Sequence, residues 1–324
     1  MLALQRQGGT VALRDLAVPR PAAAEALVRV RMAGICNTDL ELARGYMSFD
    51  GVLGHEFVGV VEACRDASWL GARVAGEINL ACHCCELCQR GLSRHCPQRR
   101  VLGILGKDGA FAQFLTLPIA NLHRVPEGLS DRQACFVEPL AACFQILEQV
   151  PIDASDKVVV LGDGKLGLLA ALTLRSHGAN PLLLGKHESK LARARALGLR
   201  TTSASASAGL ARKTFDVVVE ATGSPSGLQL AVELTRPRGT LVLKSTHHGP
   251  VTLDAAPLVI DEIHLVGSRC GPFEPALALL TQGSAGVATD ALIDDVFALR
   301  DAERALARAT EPGVLKVLLE MPTT

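Results

Sequence analysis

The sequence predicts an α/β chain in two parts, a β-rich first half and a second half built as a doubly wound parallel sheet. Three observations carry this prediction. The first 150 residues hold short β-rich runs such as 26–31 and 57–62, punctuated by Gly51, Gly54 and Pro97, with weak helical periodicity. After Pro151, continuous apolar runs at 157–161, 181–184, 216–221, 240–243 and 263–266 alternate with helix-like segments at 166–177, 189–197 and 227–234. Strands apolar on both faces and separated by helices belong in a parallel sheet covered on both sides. The length of 324 residues also exceeds what one hydrophobic core usually supports.

Further along, the Ser-Ala run at 203–209 has nothing large to bury and reads as a surface connector. The tail offers helices at 275–281 and 300–309 and a short apolar strand at 314–319. Such a strand needs a sheet, and the N-terminal half has the nearest one.

Composition narrows the function classes. Hydrophobic residues at 48% and charged residues at 20% describe a globular chain. Lys plus Arg, 33, balance Asp plus Glu, 33, so there is no long-range field for polyanions and nucleic acid is excluded as the expected partner. No apolar stretch approaches the roughly 18 to 20 residues of a bilayer span, and residues 1–9 lack a signal-peptide core. The expectation is a cytoplasmic protein without a membrane partner. With aromatic content at 3%, a stacking platform for bases is not expected either.

Ten cysteines in such a chain need a chemical reason. Cys64, Cys135, Cys143 and Cys270 are scattered among apolar neighbours and read as small hydrophobes. Cys82, Cys85, Cys88 and Cys96, by contrast, form C-x2-C-x2-C-x7-C, the four soft anionic ligands of a closed structural zinc site. His83 and Cys84 lie inside the same lobe and remain competing ligands. A second, more dispersed set is Cys36 within Gly34-Ile35-Cys36-Asn37-Thr38-Asp39 and His55 within Gly54-His55-Glu56. A thiolate and an imidazole with carboxylates nearby suit a catalytic zinc with an open position, although a histidine beside glycine can equally be structural.

The run at 157–161 leads into Gly162-Asp163-Gly164-Lys165-Leu166-Gly167, a G-x-G-x-x-G between a strand and a helix. Its first glycine permits the tight turn, its second lets the backbone approach a pyrophosphate, and its third allows close helix packing. A carboxylate is expected about 20 residues on, to bond the adenosine ribose. Here the chain has Leu184-Gly185-Lys186-His187. Without the carboxylate, and with Lys186 and His187 following, NADP is the expected preference, with NAD possible if Glu188 serves the ribose. Arg269 is a further candidate for the cofactor pyrophosphate or a polar substrate, and equally for a surface salt bridge.

Taken in order, G-I-C-x-T-D, G-H-E, the four-cysteine lobe, Glu138-Pro139 and the glycine-rich turn resemble the zinc-dependent medium-chain dehydrogenases over essentially the whole chain. The Glu138-Pro139 pair is similar to the sorbitol, threonine and glucose dehydrogenase side of that superfamily. The resemblance implies a GroES-like catalytic domain at 1–147, completed by 276–324, and an inserted Rossmann-type dinucleotide domain at 148–275, with the active site in the cleft. It implies Cys36 and His55 as catalytic zinc ligands, Glu138 in the third place, Glu56 as a conditional ligand, Thr38 as the hydroxyl that passes the substrate proton, and Asp39 as the carboxylate that orients the histidine. Family members often end the proton relay on a histidine three residues after the threonine. This chain has Glu41 there, so either Glu41 or water takes the proton.

The implied activity is hydride transfer between a small alcohol, polyol or sugar, or the matching carbonyl, and a nicotinamide cofactor, with one catalytic and one structural zinc, in a homodimer or homotetramer. Two other readings stand beside it: a nucleotide-sensing protein without turnover, and a zinc-free quinone or enoyl reductase of the same superfamily.

Overall fold

The computed structural model describes residues 1–246, 250–283 and 287–322. The chain divides into two units, one of residues 1–138 and 293–324 and the other of residues 139–292. Both boundaries differ from the expected 147/148 and 275/276. The helix at Phe273–Thr281, expected in the tail of the first unit, falls in the second, and the return to the first unit comes only at Ile293.

In the first unit, β1 (Leu2–Gln7) and β2 (Thr10–Asp15) form an antiparallel hairpin that the sequence reading did not single out. Then follow β3 (Glu25–Gly34), α1 (Asn37–Ala43), β4 (Gly51–Val52), β5 (Glu56–Ala63) and β6 (Arg73–Gly76). The cysteine lobe lies between β7 (Asn79–Leu80) and β8 (Arg100–Leu102) and contains the one-turn α2 (Glu86–Gln89). After β9 (Gly106–Lys107) come β10 (Phe114–Pro118), β11 (Leu122–Arg124) and α3 (Asp131–Ala134), and α4 (Val137–Gln149) begins at the boundary and runs into the second unit.

The second unit holds six strands: β12 (Val158–Leu161), β13 (Leu182–Gly185), β14 (Arg200–Ser203), β15 (Phe215–Glu220), β16 (Thr235–Leu243) and β17 (His264–Gly267). Its helices are α5 (Lys165–Ser176), α6 (Glu188–Ala196), α7 (Pro225–Leu234), α8 (Ala256–Ile260) and α9 (Phe273–Thr281). Every pairing is parallel, in the order β14-β13-β12-β15-β16-β17. The order reverses beside β12, the topological switch point at which open α/β sheets bind ligands. Why the central strands read as continuous apolar runs is clear from burial: all four residues of β12 are buried, and Val159, Leu161 and Val218 pack with Leu228, Ala231 and Val232 of α7. Ser224 caps α7 by accepting the Gly227 N–H at 3.1 Å, with Pro225 opening the helix. β14 was not expected as a strand, because its sequence Arg-Thr-Thr-Ser is that of a sheet edge rather than a core.

The chain then returns to the first unit with β18 (Ile293–Ala298), α10 (Ala302–Ala309) and β19 (Lys316–Glu320). β19 pairs with β3, as the need of that apolar strand for an N-terminal sheet predicted, and the sheet runs β11-β6-β5-β3-β19-β18 with β10 also on β3. Among the described residues no helix is long and apolar enough to cross a membrane.

Candidate active site and metal lobe

The central strands β5, β3 and β19 build the site. Gly34 pairs with Glu56 on one side and Leu318 on the other, so the end of β3 lies between the start of β5 and the middle of β19. The chain then turns so that Cys36 caps α1. Asp39, fully buried, holds this corner together. Its Oδ2 accepts the Cys36 N–H at 2.8 Å, and its Oδ1 accepts the Gly54 N–H at 3.2 Å and lies 3.1 Å from His55 Nδ1. With Nδ1–H donated to Asp39, the histidine is left with Nε2 as its ligand atom.

Cys36, His55 and Glu56 bring ligand atoms within 4.8 Å of one another. Glu138, the expected third ligand, falls outside this group. The physical reason is local: Glu56 follows His55 at the mouth of β5 and arrives with it, whereas Glu138 sits in the first turn of α4. Burial opposes a charged His55, yet Asp39, followed by Cys36, raises its pKa well above the ordinary value, as suits a strongly basic ligand. Thr38 Oγ1 lies 3.8 Å from Cys36 Sγ. Glu41 does not bond Thr38; its carboxylate pairs with Arg44 at 2.7 Å on the surface.

Sequence reasoning missed Lys316. It is 1% exposed, and its ammonium is ion-paired with the equally buried Glu56, 3.4 Å from the Ile35 carbonyl and 5.6 Å above the Phe136 ring. The pair meets across β3 because position 34 is glycine: a Cβ there would lie 2.7 Å from Lys316 Cε and 2.8 Å from Nζ. Burial pushes the Lys316 pKa down to about 8, against the pull of Cys36 and Asp39. A lysine inside an apolar strand of the tail gives no spacing signal; only the pairing of β19 with β3 reveals it.

In the lobe, the sulfurs of Cys82, Cys85, Cys88 and Cys96 lie within 4.8 Å of one another. Their separations are 3.5 Å for Cys82–Cys96 and Cys85–Cys88, 3.9 Å for Cys85–Cys96 and 4.0 Å for Cys82–Cys88. Four sulfurs at about 2.3 Å from a tetrahedral zinc stand about 3.8 Å apart, so the cage fits that ion, and it is far too open for disulfides. The backbone N–H groups of Cys84 and Cys85 lower the Cys82 thiol to about 6. Cys84 is exposed and stands outside the four, as does His83, held at φ 57°. Of the scattered cysteines, Cys135 and Cys143 are buried, and Cys64 and Cys270 are half-buried.

The glycine-rich turn follows β12. Gly162 has φ of 116°, and a Cβ on it would lie 2.7 Å from the Ala221 carbonyl carbon. A Cβ on Gly167 would strike the Gly162 carbonyl, whereas one on Gly164 would face open space. This is the division of labour a dinucleotide turn requires. Lys165 and Leu166 open α5 behind it. Glu220, wholly buried at the end of β15, accepts the Thr222 N–H and hydroxyl through Oε1, while its Oε2 has no hydrogen-bond partner among the described residues.

Beside Gly185 the structure departs from expectation. A fixed carboxylate does stand there, and it is Asp163 from the turn, accepting the N–H groups of Lys186 at 2.7 Å and His187 at 2.6 Å. Lys186 is exposed, and Glu188, the alternative ribose ligand, is salt-bridged to Arg195. Arg269 is exposed, with its carbonyl receiving the Lys244 ammonium at 2.9 Å.

The Alcohol dehydrogenase GroES-like domain family matches residues 22–127, and the Zinc-binding dehydrogenase family matches residues 166–282. Among curated proteins, an L-threonine 3-dehydrogenase of Streptomyces avermitilis is 32% identical, covering 95% of each chain. A sorbitol dehydrogenase of Halalkalibacterium halodurans is 28% identical, covering 97% of each. A zinc-binding dehydrogenase fold from Sinorhizobium meliloti 1021, solved bound to NADP, superposes with TM-score 0.89 at 28% identity over 98% of both chains. Kinship of this extent, running through both units in one order, makes the chain a member of the zinc-dependent medium-chain dehydrogenase superfamily.

Proposed function

We propose that the protein is a zinc-dependent dehydrogenase that exchanges a hydride between a small secondary alcohol, polyol or sugar and a nicotinamide dinucleotide. One observation carries this reading: a thiolate, an imidazole and a carboxylate converge within 4.8 Å, with the Thr38 hydroxyl beside them. In this reading Cys36, His55 and Glu56 hold the metal, Glu56 taking the place first expected of Glu138. Bound zinc supplies Lewis acidity toward a substrate oxygen, and the nicotinamide supplies the two-electron acceptor.

The remaining work belongs to the chain. Asp39 fixes the His55 tautomer, Lys316 balances the buried Glu56 charge, and Thr38 takes the hydroxyl proton and yields it to water, because Glu41 is occupied by Arg44. The cysteine lobe holds a second, structural zinc. An intact ligand cluster and lobe speak against both a turnover-free sensor and a zinc-free reductase.

The same proposal includes association of copies. β17 is an edge strand, Leu265 on it is 45% exposed, and Val259 and Ile260 in the neighbouring α8 are each 76% exposed. Placement in the cytoplasm belongs to it too, since thiolate zinc sites suit a reducing compartment.

The test is cofactor reduction with a panel of alcohols, polyols and sugars, offered with NAD and with NADP. Wild type is expected to turn over at least one secondary alcohol and Thr38→Val to lose most of that rate, with the folded structure kept. Equal rates for the two proteins would overturn the proton assignment.

A further inference from the structure

A carboxylate at the end of the second strand of a dinucleotide fold bonds the ribose hydroxyls of NAD, and position 185, at that strand end, is glycine. The structure nevertheless puts a carboxylate at this place from a different element. The Gly162 N–H donates to the Leu184 carbonyl at 2.8 Å, which pins the turn against the end of β13 and carries the Asp163 side chain over Gly185. A Cβ on Gly185 would lie 2.6 Å from Asp163 Oδ2 and 2.8 Å from its Cγ, so the Asp163 carboxylate fills the space where a residue-185 side chain would begin. Glycine at 185 is then the condition for Asp163 being there.

We propose that Asp163 is the cofactor-selecting residue, standing in for the missing strand-end carboxylate and directing the site to NAD in preference to NADP. This deepens the dehydrogenase reading and rests on the part of it that places a dinucleotide at the glycine-rich turn.

Two consequences of the geometry set the direction. The Lys186 and His187 N–H groups, on the loop between β13 and the start of α6 at Glu188, both donate to Asp163 Oδ2. The His187 imidazole also turns inward, with Nδ1 3.1 Å from each Asp163 oxygen. These two loop N–H groups are therefore spent on an internal anion. Among the described residues Oδ1 has His187 alone as a hydrogen-bond partner and keeps acceptor capacity, which a ribose hydroxyl can fill by donating and a phosphate cannot. A 2′-phosphate adds a dianionic group beside this fixed charge, leaving the exposed Lys186, on a flexible stem and screened by salt, as its source of attraction.

The experiment measures binding rather than turnover, on the full chain, with ADP-ribose and 2′-phospho-ADP-ribose as probes in isothermal titration. Wild type is expected to bind ADP-ribose on the order of tenfold more tightly than its 2′-phosphorylated form. Asp163→Asn keeps an acceptor for the Lys186 and His187 N–H groups but loses the charge, and it should bring the ratio to about one or reverse it. A merely structural role for Asp163 would weaken both probes alike. A wild-type preference for the phosphorylated probe, or a ratio unchanged in Asp163→Asn, would overturn the proposal. Should Asp163→Asn not fold, the wild-type ratio still decides. Binding of neither probe would overturn the dinucleotide reading itself, and this proposal with it.

Discussion

Replacing Lys316 by methionine isolates the charge relation at the heart of the site. Lys316 and Glu56 are each 1% exposed, so removing the ammonium leaves a carboxylate buried without its cation. Methionine has similar length and keeps the packing against Phe136, so the lost term is mostly electrostatic. Breaking a buried ion pair costs about 3 to 5 kcal/mol. That full cost applies where no other cation faces Glu56, as in a Cys36→Ser background that cannot hold catalytic zinc but keeps the cysteine lobe. In the metal-loaded wild-type background the zinc facing Glu56 compensates part of the charge, and the cost falls to about 1 to 2 kcal/mol. The difference of roughly 2 kcal/mol must reappear as zinc affinity tightened about thirtyfold by Lys316→Met. Urea denaturation of the four proteins, with zinc competition against a chromophoric chelator, measures both sides of this cycle. Equal destabilisation in the two backgrounds, or weaker zinc binding in Lys316→Met, would refute the assignment of Glu56 to the metal.

Other consequences are more direct. Cys96→Ser opens a cage whose sulfurs all lie within 4.8 Å of one another, and it should lose one zinc and lower the thermal midpoint far more than Cys84→Ser, which lies outside the cage. Gly185→Asp should destabilise the fold rather than merely retune the cofactor, because its Cβ would lie 2.6 Å from Asp163 Oδ2; thermal melting shows which happens. Acid stability depends on Asp163: burial opposes its charge, yet the bonds from His187, and then from Lys186, outweigh burial and hold its pKa below the ordinary aspartate value. A carboxylate depressed in the folded state stabilises fully above its unfolded pKa and loses that contribution as pH falls through the folded value. The stability gap between wild type and Asp163→Asn should therefore be constant near neutrality and shrink below about pH 4.

The second unit was largely legible because its central strands are buried, so β12, β13 and β15 announce themselves as apolar runs between helices, and β17, though an exposed edge strand, carries a short apolar run as well. Edge strand β14 and hairpin β1–β2 were silent, since polar residues interrupt them and leave no continuous apolar run. The same contrast holds at the site. The four lobe cysteines are close in sequence, and short loops leave them one way to converge. Cys36 and His55 were visible only through the order of motifs, and the choice of Glu56 over Glu138 depends on which residues the strand ends bring together. Lys316 and Asp163 escaped notice for one reason: each acts across a backbone gap at a glycine, Gly34 or Gly185, and only the register between strands and turns reveals that gap.

The most direct test of the zinc dehydrogenase account is metal stoichiometry paired with turnover in wild type and Cys36→Ser. Two ligand clusters predict two zinc ions per chain in the wild type, and one zinc, a retained fold and no measurable alcohol oxidation in Cys36→Ser. A wild-type protein that carries a single zinc, or a Cys36→Ser protein that oxidises alcohols at the wild-type rate, would contradict it.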